Sequence, residues 1–181
     1  MSTAKVSLRY FVLGLLAQQP MSGYDIKRFV KGLSWLIGSP SSGSLYPALR
    51  SLLEDQLVSV EIIPGVDKPP RKIYSIEQVG RDALRQWIEK PVVADAPLKA
   101  FVMRLLLADS FSTTNLAAYL EQRRTQVATH QADLAKMSET LSSSTDLGLR
   151  LALNYGLELA SAEMNWLDNT LIRLDERLQN S

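Results

Sequence analysis

The chain has 181 residues, 46% of them hydrophobic and 22% charged, the composition of an ordinary globular protein rather than a disordered or fibrous one. It holds no cysteine, which excludes disulfides, thiolate metal sites and cysteine nucleophiles and is easiest to square with a cytoplasmic location. The net charge of +1 hides an asymmetry: residues 1–90 carry 12 Lys/Arg against 8 Asp/Glu, and residues 91–181 carry 8 against 11, so only the first half suits a polyanion.

The first apolar segment, Val6 to Ala17, places Leu8, Phe11, Val12, Leu15 and Leu16 on one helical face. Arg9 and Tyr10 interrupt it and Gln18-Gln19-Pro20 closes it, far short of a membrane span, so it predicts a buried first helix. Ser22 opens a Ser-x-x-Asp pattern ending at Asp25, an N-cap with an acid in the first turn, ahead of a second helix carrying Ile26, Phe29, Val30 and Leu33. After the breaker-rich run 38–43, Leu45, Leu49, Leu52 and Leu53 form a third helical face. Pro47 fits without loss only in a first turn, which makes Ser44 the expected N-cap; an earlier start would bend the helix at Pro47.

From Leu57 the period changes to two. Val58, Val60 and Ile62 alternate with polar residues, Pro64-Gly65 turns the chain, and Arg71 to Ile76 can pair back, leaving Val66 to Pro70 as a basic, proline-stiffened hairpin tip. A fourth helix presents Val79, Ala83, Trp87 and Ile88. Pro91 and Pro97 bracket a linker, which divides the chain into residues 1–90, a linker over 91–97 and a helical domain over 98–181.

The second half opens with a short helix carrying Leu98, Phe101, Val102, Leu105 and Leu106. Two long helices follow. Leu120, Val127, Leu134 and Leu141 recur every seven residues, with Leu116, Arg123, His130 and Met137 as the companion series; Leu153, Ala160, Leu167, Leu174 and Leu157, Met164, Leu171, Leu178 repeat the pattern in the last helix. The short connector Ser142 to Asp146 predicts an antiparallel hairpin. Tyr155, Leu159, Ala162 and Trp166 form a second stripe on the last helix, covered either by the chain's own residues 98–110 or by a second subunit.

The expected fold is mainly α: an N-terminal winged helix-turn-helix of three helices plus a two-stranded wing, then a C-terminal antiparallel helical or coiled-coil dimerisation domain. In such a module the third helix enters the major groove of double-stranded DNA and the wing reaches backbone or minor groove. Ser41, Ser42 and Ser44 bring small donors to that helix's N-terminus and Tyr46 a phenol, although the serines alternatively cap the helix and Tyr46 alternatively packs on the wing. Lys68, Arg71 and Lys72 are suited to phosphate contact, or else are a solvated charge run.

An enzyme would have to draw on Glu54, Asp55 and the lone His130, a poor set: acids at a helix end are ordinary surface residues, and no second histidine completes a metal site. No nucleotide-binding or nucleophile-elbow motif is present. No cofactor is called for. A pure protein-interaction module is the remaining alternative.

The segments MSGYDIKRFV, SSGSLYPALRSLLEDQLV and DKPPRKIYSIEQVGRDAL, in this order, resemble the PadR family of bacterial transcriptional regulators, and the tail from Leu98 resembles its virulence-activator-type C-terminal domain. The resemblance implies a homodimer held by the C-terminal helices together with helix one, with Leu8, Phe11, Tyr155, Leu159, Ala162 and Trp166 as candidate contacts, on a pseudo-palindromic operator. It implies DNA contacts from Tyr24, Ser41, Ser42, Ser44, Tyr46, Lys68, Arg71 and Lys72. Glu77 stands where the family more often has threonine, which weakens a cap for the fourth helix. Because two reading helices must match major grooves about 34 Å apart, a small-molecule effector acting on the C-terminal domain would change operator affinity.

Overall fold

The computed structural model of the chain describes residues 3–38, 42–64, 70–90, 98–140 and 146–179. They form two compact units, one holding everything up to the proline linker together with the chain from Leu98 to Phe111, the other beginning at Ser112. The proposed linker 91–97 lies outside the described residues.

In the first unit, α1 (Thr3–Gln18) is followed by β1 (Met21–Ser22), α2 (Gly23–Gly32), a single turn α3 (Ser34–Ile37), α4 (Ser42–Glu54), the hairpin β2 (Val58–Ile63) and β3 (Arg71–Ile76), α5 (Gln78–Glu89) and α6 (Leu98–Leu105). The sheet is antiparallel with order β1-β3-β2. The winged helix is therefore present with two additions too short for periodicity to show: the turn α3 and the two-residue strand β1, which pairs Met21 with Tyr74 and Ser22 with Ile73.

Phe11, Val12, Leu15 and Leu16 of α1 form the centre of the core with Ile26, Val30, Leu45, Leu49, Leu52, Leu84 and Ile88. Phe11, read as a dimer contact, is instead 0% exposed. It belongs to the apolar face that α1 turns toward α4 and α5 and is not available to a partner, while Leu8 is partly buried against the same core. Of the alternating residues on β2 only Val58 is buried; Val60 and Ile62 are exposed, because β2 is an edge strand that runs out of the body beside β3 alone.

Helix α4 starts at Ser42, not after Ser44. Ser44 is thus inside the first turn rather than the cap, and Pro47 sits within the helix, where its missing N–H leaves the Gly43 carbonyl without the usual i−4 donor. The helix ends in a Schellman turn: Leu57 N–H donates to Leu52 at 2.9 Å, Gln56 N–H to Leu53 at 3.0 Å, and Gln56 takes φ of 56°. Glu77 makes no side-chain cap to α5, in line with the expectation from its replacement of threonine.

The first unit takes in α6, which the sequence assigns to the C-terminal domain. Helix α6 packs on α1 and α3. Leu107, fully buried, lies where a side chain at Gly14 of α1 would be, 2.5 Å from the position of a Cβ. Arg104, buried, donates from one Nη to the carbonyls of Trp87 at 2.6 Å, Ile88 at 2.6 Å and Lys90 at 2.9 Å, closing the C-terminus of α5 with a cation at its negative end. Its guanidinium also lies 4.6 Å from the Trp87 ring centroid, and Trp87 stacks on Tyr10 at 5.0 Å and 6°.

In the second unit α7 (Thr113–Thr140) and α8 (Leu147–Gln179) pair antiparallel, as the cross-contacts Arg123–Glu163, Gln131–Ser161 and Leu134–Gly156 require. The series Leu153, Ala160, Leu167, Leu174 is buried throughout, as are Leu120 and Val127, so these heptads form the seam within the hairpin. Arg123 occupies a companion seam position and makes a two-point bond to Glu163, Nε–Oε1 2.7 Å and Nη2–Oε2 3.1 Å, the geometry by which a guanidinium can be buried without losing its hydrogen bonds. The connector 141–145 lies outside the described residues; Asp146 caps α8 through Leu149 N–H at 3.1 Å.

Candidate nucleic-acid interface

The first turn of α2 is the point on which the predicted DNA-binding elements converge. Ser22 ends β1 and caps α2, its Oγ accepting from Asp25 N–H at 3.1 Å while its hydroxyl donates to the Asp25 carboxylate at 2.6 Å. Because β1 pairs with β3, this cap is stitched to the root of the wing. Arg71, the first residue of β3, then reaches the same carboxylate, Nη2–Oδ2 3.0 Å. The Ser22 hydroxyl above all, with Arg71 and Arg28 nearby, holds the Asp25 carboxyl below its ordinary range against the opposing effect of burial.

From the other side α4 contributes Tyr46, whose ring lies over Gly23: a Cβ on Gly23 would be 3.0 Å from Tyr46 Cε1 and 3.4 Å from Leu49 Cδ1. The glycine of the Gly-Tyr-x-Ile segment is thus explained by the tyrosine of the Leu-Tyr-Pro-Ala-Leu segment, two helices away. Tyr46 remains 47% exposed and Tyr24, next to Gly23, 65% exposed, so both phenols face solvent beside the Asp25–Arg71 pair. Tyr74 of β3 is buried, which together with neighbouring Tyr46 pushes its hydroxyl pKa up.

Of the remaining candidates, Lys72 is exposed on β3 opposite Ile62, and Ser44 is half-buried in the first turn of α4. Ser41 and Lys68 lie outside the described residues, as does the side chain of Ser42. Asp25 is legible in the sequence as an acid in the first turn of α2, but its bond to the wing is not, because nothing in the sequence says which acid Arg71 meets.

On α8, Tyr155, Leu159, Ala162 and Trp166 are all exposed. Of the enzymatic candidates, Glu54 is exposed, Asp55 is paired with Arg9, and His130 is exposed on α7. Among the described residues no group of three or more His, Asp and Glu is placed to hold a metal, and no helix is long and apolar enough to cross a membrane.

Two family models match this chain. Residues 12–86 match the transcriptional regulator PadR-like family and residues 99–175 the virulence activator alpha C-terminal domain. The chain is 27% identical over 179 residues to the negative transcriptional regulator PadR of Bacillus subtilis, covering 93% of this chain and 98% of that protein. Among solved structures it is similar to Bacillus subtilis PadR in complex with operator DNA, at 24% identity, 92% and 98% coverage and a TM-score of 0.46. It is also similar to the same regulator in complex with p-coumaric acid, at 23% identity, 97% and 99% coverage and a TM-score of 0.44. Residues 12–86, the winged helix, are thus a PadR-like transcriptional-regulator domain, followed over 99–175 by a virulence-activator-type helical domain.

Proposed function

We propose that this regulator is a cytoplasmic homodimer that binds a pseudo-palindromic operator, with the first turn of α4 reading base edges and the wing neutralising phosphates. The carrying observation is that Tyr46 of the reading helix and Arg71 of the wing both close on the first turn of α2, beside the exposed Tyr24. One rigid patch then presents phenols and cations together. Ser41, Ser42 and Ser44 supply small donors at the N-terminus of α4, and Lys68 and Lys72 extend the cationic wing.

Gel shifts at fixed salt against genomic promoter fragments and a random duplex test this reading. Arg71→Ala is expected to weaken binding to all sequences, whereas Tyr46→Ala or Ser44→Ala costs roughly 1–3 kcal/mol on the specific site and less on random DNA. Full-strength binding by Arg71→Ala at low salt would remove the wing from the interface.

The exposed stripe Tyr155, Leu159, Ala162 and Trp166 supports the dimer, since a contiguous apolar face along one helix is seldom left in water. Leu159, 52% exposed, is a clean position to test it: Leu159→Glu is expected to halve the mass in sedimentation equilibrium without lowering helix content. An unchanged dimer would move the interface elsewhere. The relative solved with p-coumaric acid fits the proposal that a small molecule modulates operator affinity; what such a molecule acts on is the spacing of the two reading helices.

A further inference from the structure

The pair that links the wing to α2 has a consequence for how the wing meets DNA. Arg71 is the wing cation paired with α2, and its side chain is 61% exposed, placed to meet a phosphate. Yet it is already occupied by Asp25, whose carboxylate is held fast from behind by the buried Ser22 hydroxyl at 2.6 Å. A carboxylate oxygen and a phosphate oxygen ask the same of a guanidinium, and an arginine donating to one in this geometry has fewer donors for the other. The β1–β3 pairing keeps Ser22 and the strand that begins at Arg71 in fixed register, so the competitor does not drift away when the wing moves.

We infer that Asp25 is an affinity-setting residue, a built-in stand-in for phosphate from which Arg71 must be exchanged each time the wing engages DNA. This rests on the DNA-binding reading above. The exchange is feasible because an exposed ion pair contributes little and is screened by salt. Its effect is to lower the affinity of the wing for any phosphate backbone, sequence notwithstanding, and so to keep the regulator from accumulating on non-specific DNA. It also flattens the salt dependence: a cation passed from carboxylate to phosphate frees Asp25 to gather counterions, which offsets one of those released from DNA.

The test uses the full chain and a random-sequence duplex, with binding followed by fluorescence anisotropy over a salt series. Asp25→Asn keeps the shape and an oxygen for the Ser22 hydroxyl while removing the charge. It is expected to bind about two- to fivefold tighter at low salt, with the log–log salt slope steeper by up to about 0.9. In an Arg71→Ala background the same substitution is expected to change neither quantity. Tightening that persists without Arg71 would mean simple repulsion of DNA by Asp25, or release of the neighbouring Arg28, and would overturn the exchange; unchanged or weaker binding by Asp25→Asn would overturn it too. If thermal melting shows that Asp25→Asn does not fold, Asp25→Ser, also compatible with the first turn of a helix, is measured in its place against the same criteria. Wild-type protein that fails to bind the duplex at any salt would refute the DNA-binding reading itself, whereas salt-sensitive wild-type binding with an inert Asp25→Asn refutes this inference alone.

Discussion

Gly80→Ala is expected to unseat α5 and with it the junction between the wing and the helical body. A Cβ on Gly80 would lie 2.1 Å from the Leu57 carbonyl oxygen and 2.9 Å from Ile76 Cγ1. The first of these is backbone, and that carbonyl is already fixed as the acceptor of Glu77 N–H at 3.0 Å. Leu57 in turn is the residue that closes the Schellman turn of α4, so it has no slack to yield. Overpacking against a constrained backbone is expected to cost about 3 kcal/mol or more, lowering the melting midpoint by roughly 10–20 °C for a domain of this size. Trimming the flexible neighbour as well, in Gly80→Ala/Ile76→Ala, should not restore stability, because the clash with the carbonyl remains. A melt unchanged from wild type would mean that α5 does not sit on the end of β2 as described.

Arg104→Met is expected to have the second large effect, loosening α6 from the winged helix. Methionine keeps much of the buried volume but removes three hydrogen bonds to the last carbonyls of α5 and the cation over Trp87. Desolvating the guanidinium in the wild type offsets part of that gain, which leaves a net loss of about 2–3 kcal/mol. Amide hydrogen exchange should show protection falling across 98–106 and at the end of α5, and near-ultraviolet circular dichroism should report the disturbed Tyr10–Trp87 stack. Arg104→Lys is expected to recover little, since lysine ends one bond short of the Nη position that meets the three carbonyls and has no planar group to lay on the indole face. Protection unchanged in 98–106 would show that α6 is held by Leu107 against Gly14 and needs no cap on α5.

How far these features were legible in the sequence differs by the range of the interaction that made them. The helices, the wing and the heptad seam follow from periods of 3.6, 2 and 7 in neighbouring residues, and Leu153, Ala160, Leu167 and Leu174 are buried as their spacing requires. The capping pair Ser22 and Asp25 is equally local. Arg104 was not legible. A single charge in an apolar run reads as the polar side of an amphipathic helix, and only the arrival of the α5 C-terminus above it makes burial tolerable. Phe11 failed in the opposite direction: its periodicity marks it as a residue to be covered, and which surface covers it is a property of the packed unit.

The same division runs through the interface. Short-range pattern by itself determined that this chain has a reading helix, a basic hairpin and a seam of long helices, because each is a statement about which residues share a face. It also supplied Gly80, Gly23 and Tyr46 as parts of recognisable segments, without the reason for any of them. The reasons are tertiary: a Leu57 carbonyl under Gly80, the Tyr46 ring over Gly23, and a carboxylate on α2 holding Arg71 of the wing. Contacts between residues 20 to 50 positions apart depend on how the helices pack and where the hairpin is stitched, and a one-dimensional spacing contains no measure of that distance. That placement, with Asp25 against Arg71, is what brings three separate motifs together on one surface.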